Sequence, residues 1–374
     1  GEWKEELLDR IATLSKGIGI PKEQLSEDGD PCILYGELYT KYKSEIIKQV
    51  ESKTDIDGSK LKRSKANDVI IPCSGETAVD IATARCVPFD SILLGGDLNV
   101  ISLHKYDGAF MSYQLNGKRK YDIARVAQGV SVVHLYGEHL KTIKTYNPTL
   151  PEQQKIAILL SLLDERIATQ NKIIEDLKKL KCAIIEKLYS KIQGKEYSYG
   201  QLFDVVNERN KQMEYYNILS ASQEKGMVNR DDLNLDIQFE RSNINTYKIV
   251  RKGDYVIHLR SFQGGFAFSD KLGVCSPAYT ILRPNSLLEY SYLSYYFTSQ
   301  RFIKSLIIVT YGIRDGRSIN VEEWLNMKVV IPSKEHQLHT LNVLKRIDDK
   351  VENEEKYATC LSNQKQYLLR QMFI

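Results

Sequence analysis

The stretch Pro148-Thr149-Leu150-Pro151-Glu152-Gln153-Gln154-Lys155-Ile156-Ala157, followed on to Tyr189, decides the fold, because the chain carries it twice. Pro148 laid on Pro332 (332 − 148 = 184) brings Gln153 onto Gln337, Leu160 onto Leu344, Asp164 onto Asp348, Lys172 onto Lys356, Leu177 onto Leu361 and Lys181 onto Lys365, with no gap. In the first copy Ile156, Leu160, Leu163, Ile167, Gln170, Ile174, Leu177, Lys181, Ile184 and Leu188 step by four and three. The second copy keeps that step at Leu344, Ile347, Val351, Glu354, Ala358, Leu361, Lys365, Leu368 and Met372. Such a seam favours a long helix packed on a similar helix. Its polar members match between copies, Gln170 with Glu354 and Lys181 with Lys365, and a polar seam residue gives up stability to fix register. The plainer alternative is two ordinary amphipathic helices of one core; the length of the gapless repeat argues against it.

Thr149 and Glu152 have capping-box spacing, and Pro151 is tolerated in a first turn, so the first long helix is expected to start near Thr149. Gly194 suits the left-handed position after a helix end. Some 40 residues at about 1.5 Å each give a rod of roughly 60 Å, too long for one face of a small domain.

Residues 1–147 read as a mixed, mostly β globule. Trp3 to Leu14 is a short amphipathic opening. Asp68-Val69-Ile70-Ile71-Pro72 has the β-branched run of a strand, and Leu98 to Leu103 is another. Ala109 to Asn116 is a short helix or strand ahead of the basic cluster Lys118-Arg119-Lys120. After Gly194 the pattern restarts. Tyr199 and Leu202 take the places of Trp3 and Leu7, Gly253 to Ile257 repeats the strand at Asp68, and Ser276 to Leu282 repeats the strand at Leu98. Glu322 falls on Glu138 and Lys328 on Lys144 at the spacing of the long helices. The expected plan is therefore α+β, in four parts: a globule at 1–147, a long helix at 148–194, a second globule at 195–331 and a second long helix at 332–374.

At 374 residues, with 42% hydrophobic and 27% charged residues, the chain has the composition of a soluble protein of more than one domain. Its apolar runs are too short and interrupted to span a bilayer. The opening Gly1-Glu2-Trp3-Lys4 has no apolar signal region and no initiating Met, as expected of a start that is trimmed or carries added residues. The six cysteines form no CxxC pair, which points to reduced thiols in a cytoplasm. A net charge of +4 permits nucleic-acid binding without requiring it.

This organisation resembles the specificity subunit of type I restriction-modification enzymes along essentially the whole chain. The resemblance rests on Thr149 to Ala157 with Leu163-Asp164-Glu165-Arg166-Ile167 behind it. A weaker echo is Ile331 to Gln337 with Ile347-Asp348-Asp349-Lys350-Val351. The echo departs from the family pattern in placing His336 between Glu335 and Gln337. The resemblance implies two target-recognition domains separated by two long antiparallel coiled-coil helices, each domain reading one half of a split DNA target. It further implies that the helices set the gap and dock two methyltransferase subunits, with motor-nuclease subunits joining them. S-adenosylmethionine, ATP and Mg are then expected in those partners and no cofactor in this chain.

The residues offer little chemistry of their own. No Gly-x-x-x-x-Gly-Lys-Ser/Thr loop is present. Asn147-Pro148-Thr149-Leu150 begins like an amino-methyltransferase box but lacks its second proline and its aromatic. His336 and His339 lack a third metal ligand nearby. A fused methyltransferase and a scaffold whose globules bind protein are the alternatives; cofactor binding and DNA binding by the pure chain separate them. By residue type, the DNA contacts expected in the first globule are Lys60, Lys62, Arg63 and Lys65, then Lys118, Arg119, Lys120, Arg125 and Gln128. Those in the second are Arg209, Asn210 and Lys211, then Arg260, Ser261 and Gln263, then Tyr311, Arg314 and Arg317.

Overall fold

A computed structural model describes residues 2–222, 225–233, 241–258, 265–311 and 318–373. The chain divides into two units, Gly1–Lys172 with Glu354–Ile374, and Ile173–Asn353. Each unit holds one globule and one part of each long helix, because the helices run Leu150–Ser190 and Lys334–Gln371.

In the first unit the strands that matter are β1 (Lys4–Leu7), β2 (Ala12–Lys16), β3 (Asp68–Pro72), β4 (Arg85–Val87), β5 (Leu98–Leu103) and β6 (Lys144–Asn147). Four of them form an antiparallel sheet in the order β2-β5-β3-β4. All of β3 is buried, as its uninterrupted apolar run requires. Asp68 closes the turn ahead of β3 by accepting the Lys65 N–H at 2.8 Å. β1 pairs with β6, so the start of the globule is stitched to the strand that leads into the first long helix.

The second unit repeats this with β7 (Lys195–Ser198), β8 (Phe203–Val206), β9 (Tyr255–Ile257), β10 (Phe266–Phe268), β11 (Thr280–Pro284) and β12 (Lys328–Ile331). The sheet order is β8-β11-β9-β10, the same arrangement of equivalent strands. Asp254 accepts the Arg251 N–H at 2.8 Å, as Asp68 does before β3. β7 pairs with β12, whose Ile331 stands at the repeat spacing from Asn147 in β6.

The amphipathic opening Trp3 to Leu14 is strand, one helical turn at Leu8–Ile11, then strand. Two expectations need correction. Tyr199–Leu202, the helical turn after β7, therefore matches Leu8–Ile11 and not Trp3 and Leu7. The first long helix ends at Ser190, and Gly194 is not left-handed. Its lack of a side chain serves close packing, since a Cβ there would lie 2.2 Å from the Ile331 carbonyl oxygen in β12.

The cores differ in kind. In the first unit Leu8, Ile11, Val69, Ile71, Ile101 and Leu115 belong to a mainly aliphatic cluster. In the second, Tyr199, Tyr255, Phe266, Phe297, Phe302 and Trp324 interlock, with Tyr199 and Trp324 stacked at 4.2 Å. Every seam position of both long helices is buried or half-buried. In the first unit the two helices run antiparallel: Asp164 meets Lys365, Arg166 meets Tyr357 and Gln170 meets Glu354. In the second unit Lys181 reaches Asp348, and Ile184 and Ile185 share a core cluster with Leu344. Among the described residues no helix is long and apolar enough to cross a membrane.

Candidate nucleic-acid interface

Each globule is held to its helices before any loop can present a side chain. Gln153, buried in the first turn of the first long helix, donates to the Pro148 carbonyl at 2.9 Å and accepts from the Asp107 N–H at 2.9 Å. Asp107 caps the short helix Gly108–Asn116. Gln337 does the same in the second unit, donating to Pro332 O at 3.1 Å and accepting from Glu289 N at 2.8 Å. A buried amide with both ends satisfied fixes an angle, which apolar contact alone does not.

The second anchor is polar as well. Asp164 accepts from the Tyr113 hydroxyl at 2.7 Å and lies 2.6 Å from Lys365 Nζ. Lys365 also reaches Glu45 at 2.5 Å. Burial pushes the Glu45 carboxyl up, and Lys365 pulls it back down. Burial also raises the Tyr113 hydroxyl, helped by Asp164. In the second unit Tyr295 donates to Asp348 at 2.7 Å, and Lys181 completes the set.

On this frame, Lys60, Lys62, Arg63 and Lys65 lie on the loop between strand Ser52–Thr54 and β3. Arg63 pins that loop: its guanidinium is 2.7 Å from Asp30 and donates to the Ser91 carbonyl at 3.0 Å. Lys60 and Lys65 are exposed and Lys62 is half-buried, so Arg63 holds the loop that displays them.

Lys118, Arg119 and Lys120 fill the junction between the helices Gly108–Asn116 and Lys120–Val126. Arg119 pairs with Asp122 at 3.1 Å and lies over the Tyr146 ring. Arg125 shares Asp122 from an exposed position. Gln128 is exposed, and its backbone pairs with His134. Lys118 and Lys120 line a cleft of about 420 Å³ with Gln366 and Arg370 of the second long helix. Gln366 and Arg370 lie far from the basic cluster in sequence, and only the fold brings them to this cleft.

In the second unit Arg209 and Lys211 are exposed. Asn210 between them is buried, donating to Tyr215 O at 2.7 Å and accepting from Tyr215 N at 3.2 Å. It closes its own loop and presents its neighbours. Tyr311 lies in a short strand paired with Ser318–Ile319. Arg260, Ser261, Gln263, Arg314 and Arg317 lie outside the described residues. His336 and His339 are both exposed on the second long helix. Among the described residues no group of three or more His, Cys, Asp or Glu side chains is placed to hold a metal ion.

The sequence model of the type I restriction modification DNA specificity domain matches residues 1–179. The specificity subunit of the type I restriction enzyme MjaVIII from Methanocaldococcus jannaschii is 25% identical over 324 residues, covering 78% of this chain and 74% of its own. The type I restriction-modification S subunit structure from M. genitalium superposes with a TM-score of 0.57 at 18% identity, covering 100% of this chain and 96% of that one. A chain from a structure describing complex assembly and conformational transition of the type I R-M system gives 0.63 at 14% identity, covering 98% and 96%.

Proposed function

We propose, for a chain that belongs with the specificity subunits of type I restriction-modification enzymes, that each globule reads one half of a split DNA target and that the long helices set the gap between the halves. The observation that carries this reading is the pair of units built on one frame, with the same sheet order, the same glutamine anchor and the same aspartate anchor, but different loops. Two unlike readers on one chain give an asymmetric, two-part target. Half-sites on one DNA face repeat about every 34–36 Å, a span that helices of roughly 60 Å accommodate.

Lys60, Lys62, Lys65, Lys118 and Lys120 supply phosphate contacts in the first reader, and Arg209 and Lys211 in the second. Base reading falls to the loops of each globule. The four proposed parts are readers at 1–147 and 195–331 and spacer helices at 148–194 and 332–374. Ile158, Leu159 and Leu162 are exposed on the first long helix, where a methyltransferase subunit finds apolar surface to cover. Two such subunits, and motor-nuclease subunits after them, complete the complex in the cytoplasm. Catalysis, with S-adenosylmethionine, ATP and Mg, belongs to those partners, and this chain supplies recognition.

The test is methylome sequencing of cells carrying the complex, with and without one heptad, seven residues, inserted at matching points in both helices. The expected outcome is a two-part motif whose half-sites stay the same while the gap widens by about three base pairs, the heptad adding about 10 Å. An unchanged gap defeats the ruler.

A further inference from the structure

The segment 44–48 of the first globule ties three things together. Ser44 donates to Asp164 at 2.9 Å, and Lys48 donates to Ser161 at 3.0 Å and to Glu165 at 2.9 Å, all on the first long helix. Glu45 takes Lys365 of the second long helix at 2.5 Å. Between them Ile46 packs against the cluster of Phe110, Leu160 and Leu369. The backbone of the same segment is hydrogen-bonded to the edge of the sheet: Cys86 in β4 donates to Glu45 O at 2.7 Å, and Ile47 donates to Cys86 O at 3.0 Å. The strap thus touches the sheet that carries the globule and both helices that carry the unit.

From this geometry we infer that strap 44–48 fixes the angle at which the first globule stands on its helix pair, and so fixes how strictly the gap set by the helices is kept. The inference rests on the two-reader function proposed above. One added base pair moves a half-site by about 3.4 Å and turns it by about a tenth of a helical turn. A reader free to rock by that amount accepts neighbouring gaps. Apolar contact is non-directional and permits rocking, whereas charge-assisted hydrogen bonds to two helices at once do not. Buried ion pairs are a poor source of stability, since well-packed apolar residues serve as well or better. Glu45 and Lys365, both buried, therefore act in this unit as positioning residues.

The experiment uses the full complex carrying Ser44→Ala with Lys48→Ala, and separately Glu45→Gln. The double variant leaves Asp164 paired with Lys365 and Tyr113, so the fold survives. Methylated sites are sequenced and sorted by gap length. The expected result is unchanged half-site bases with discrimination against gaps one base longer or shorter reduced about tenfold. Unchanged discrimination, at full or lowered total methylation, overturns the inference and leaves the two-reader function standing. A parent complex whose methylated sites show no two-part motif overturns both.

Discussion

Lys365 and Lys181 hold the same place in the repeat and make the same joint in different surroundings. Each reaches the equivalent aspartate of the other long helix, Asp164 or Asp348, and each lies over a tyrosine ring, at 5.8 and 5.3 Å. Each aspartate accepts that tyrosine's hydroxyl at 2.7 Å. Around Lys365 the joint is closed, with Glu45 as a second carboxylate and side-chain exposures of 11% for the lysine and 7% for Asp164. Around Lys181 it is open, at 28% for the lysine and 37% for Asp348. One motif therefore serves a sealed attachment in the first unit and a wet one in the second. In the second unit, adhesion passes to the aromatic core.

The sharpest way to break that contrast is to remove both lysines in turn. Lys365→Met strands two buried carboxylates and should cost about 3–5 kcal/mol, whereas Lys181→Met should cost under about 1 kcal/mol because solvent screens the open pair. Chemical denaturation followed unit by unit measures both, and equal losses would erase the distinction. The counterpart test is Trp324→Ala, which should cost the second unit about 3–5 kcal/mol by emptying the space under Tyr199. Trp324→Phe should cost clearly less, since the indole N–H has no hydrogen-bond partner among the described residues.

The smallest effect is in pH. The Glu45 carboxyl is raised in the folded state by burial, so its contribution to stability is fully present below the ordinary carboxylate range. That contribution is lost as pH rises through the folded value. Glu45→Gln lacks the titration. Native and variant melting temperatures should therefore agree in acid and part as pH rises through and above the ordinary carboxylate range, with the native falling behind. Parallel curves would show that Lys365 fully cancels the burial of Glu45.

The long helices were legible because a gapless repeat with an apolar step leaves its mark residue by residue. Gln153 with Gln337, and Asp164 with Asp348, were visible as matches, but not as anchors. Their partners lie in the globules, where the two copies have slipped: Tyr113 and Tyr295 are not at the repeat spacing, which sets Phe297 against Tyr113. The front strands slipped in the same way, so Tyr199 answers to Leu8 and not to Trp3. Residue type also says nothing of how side chains within the basic clusters are held. Arg63 pairs with Asp30, and Asn210 bonds to the Tyr215 backbone, so both also support their own loops. Such partners are tertiary, and local composition carries no trace of them.

Gln170 and Glu354 are counterparts in the two copies, and they touch each other at 2.5 Å. A position that meets its own counterpart registers what each half would do with a twin. Two first halves brought together would oppose amide to amide, which can still bond. Two second halves would oppose carboxylate to carboxylate, and repel. The halves of this chain are thus unequal as potential homodimers.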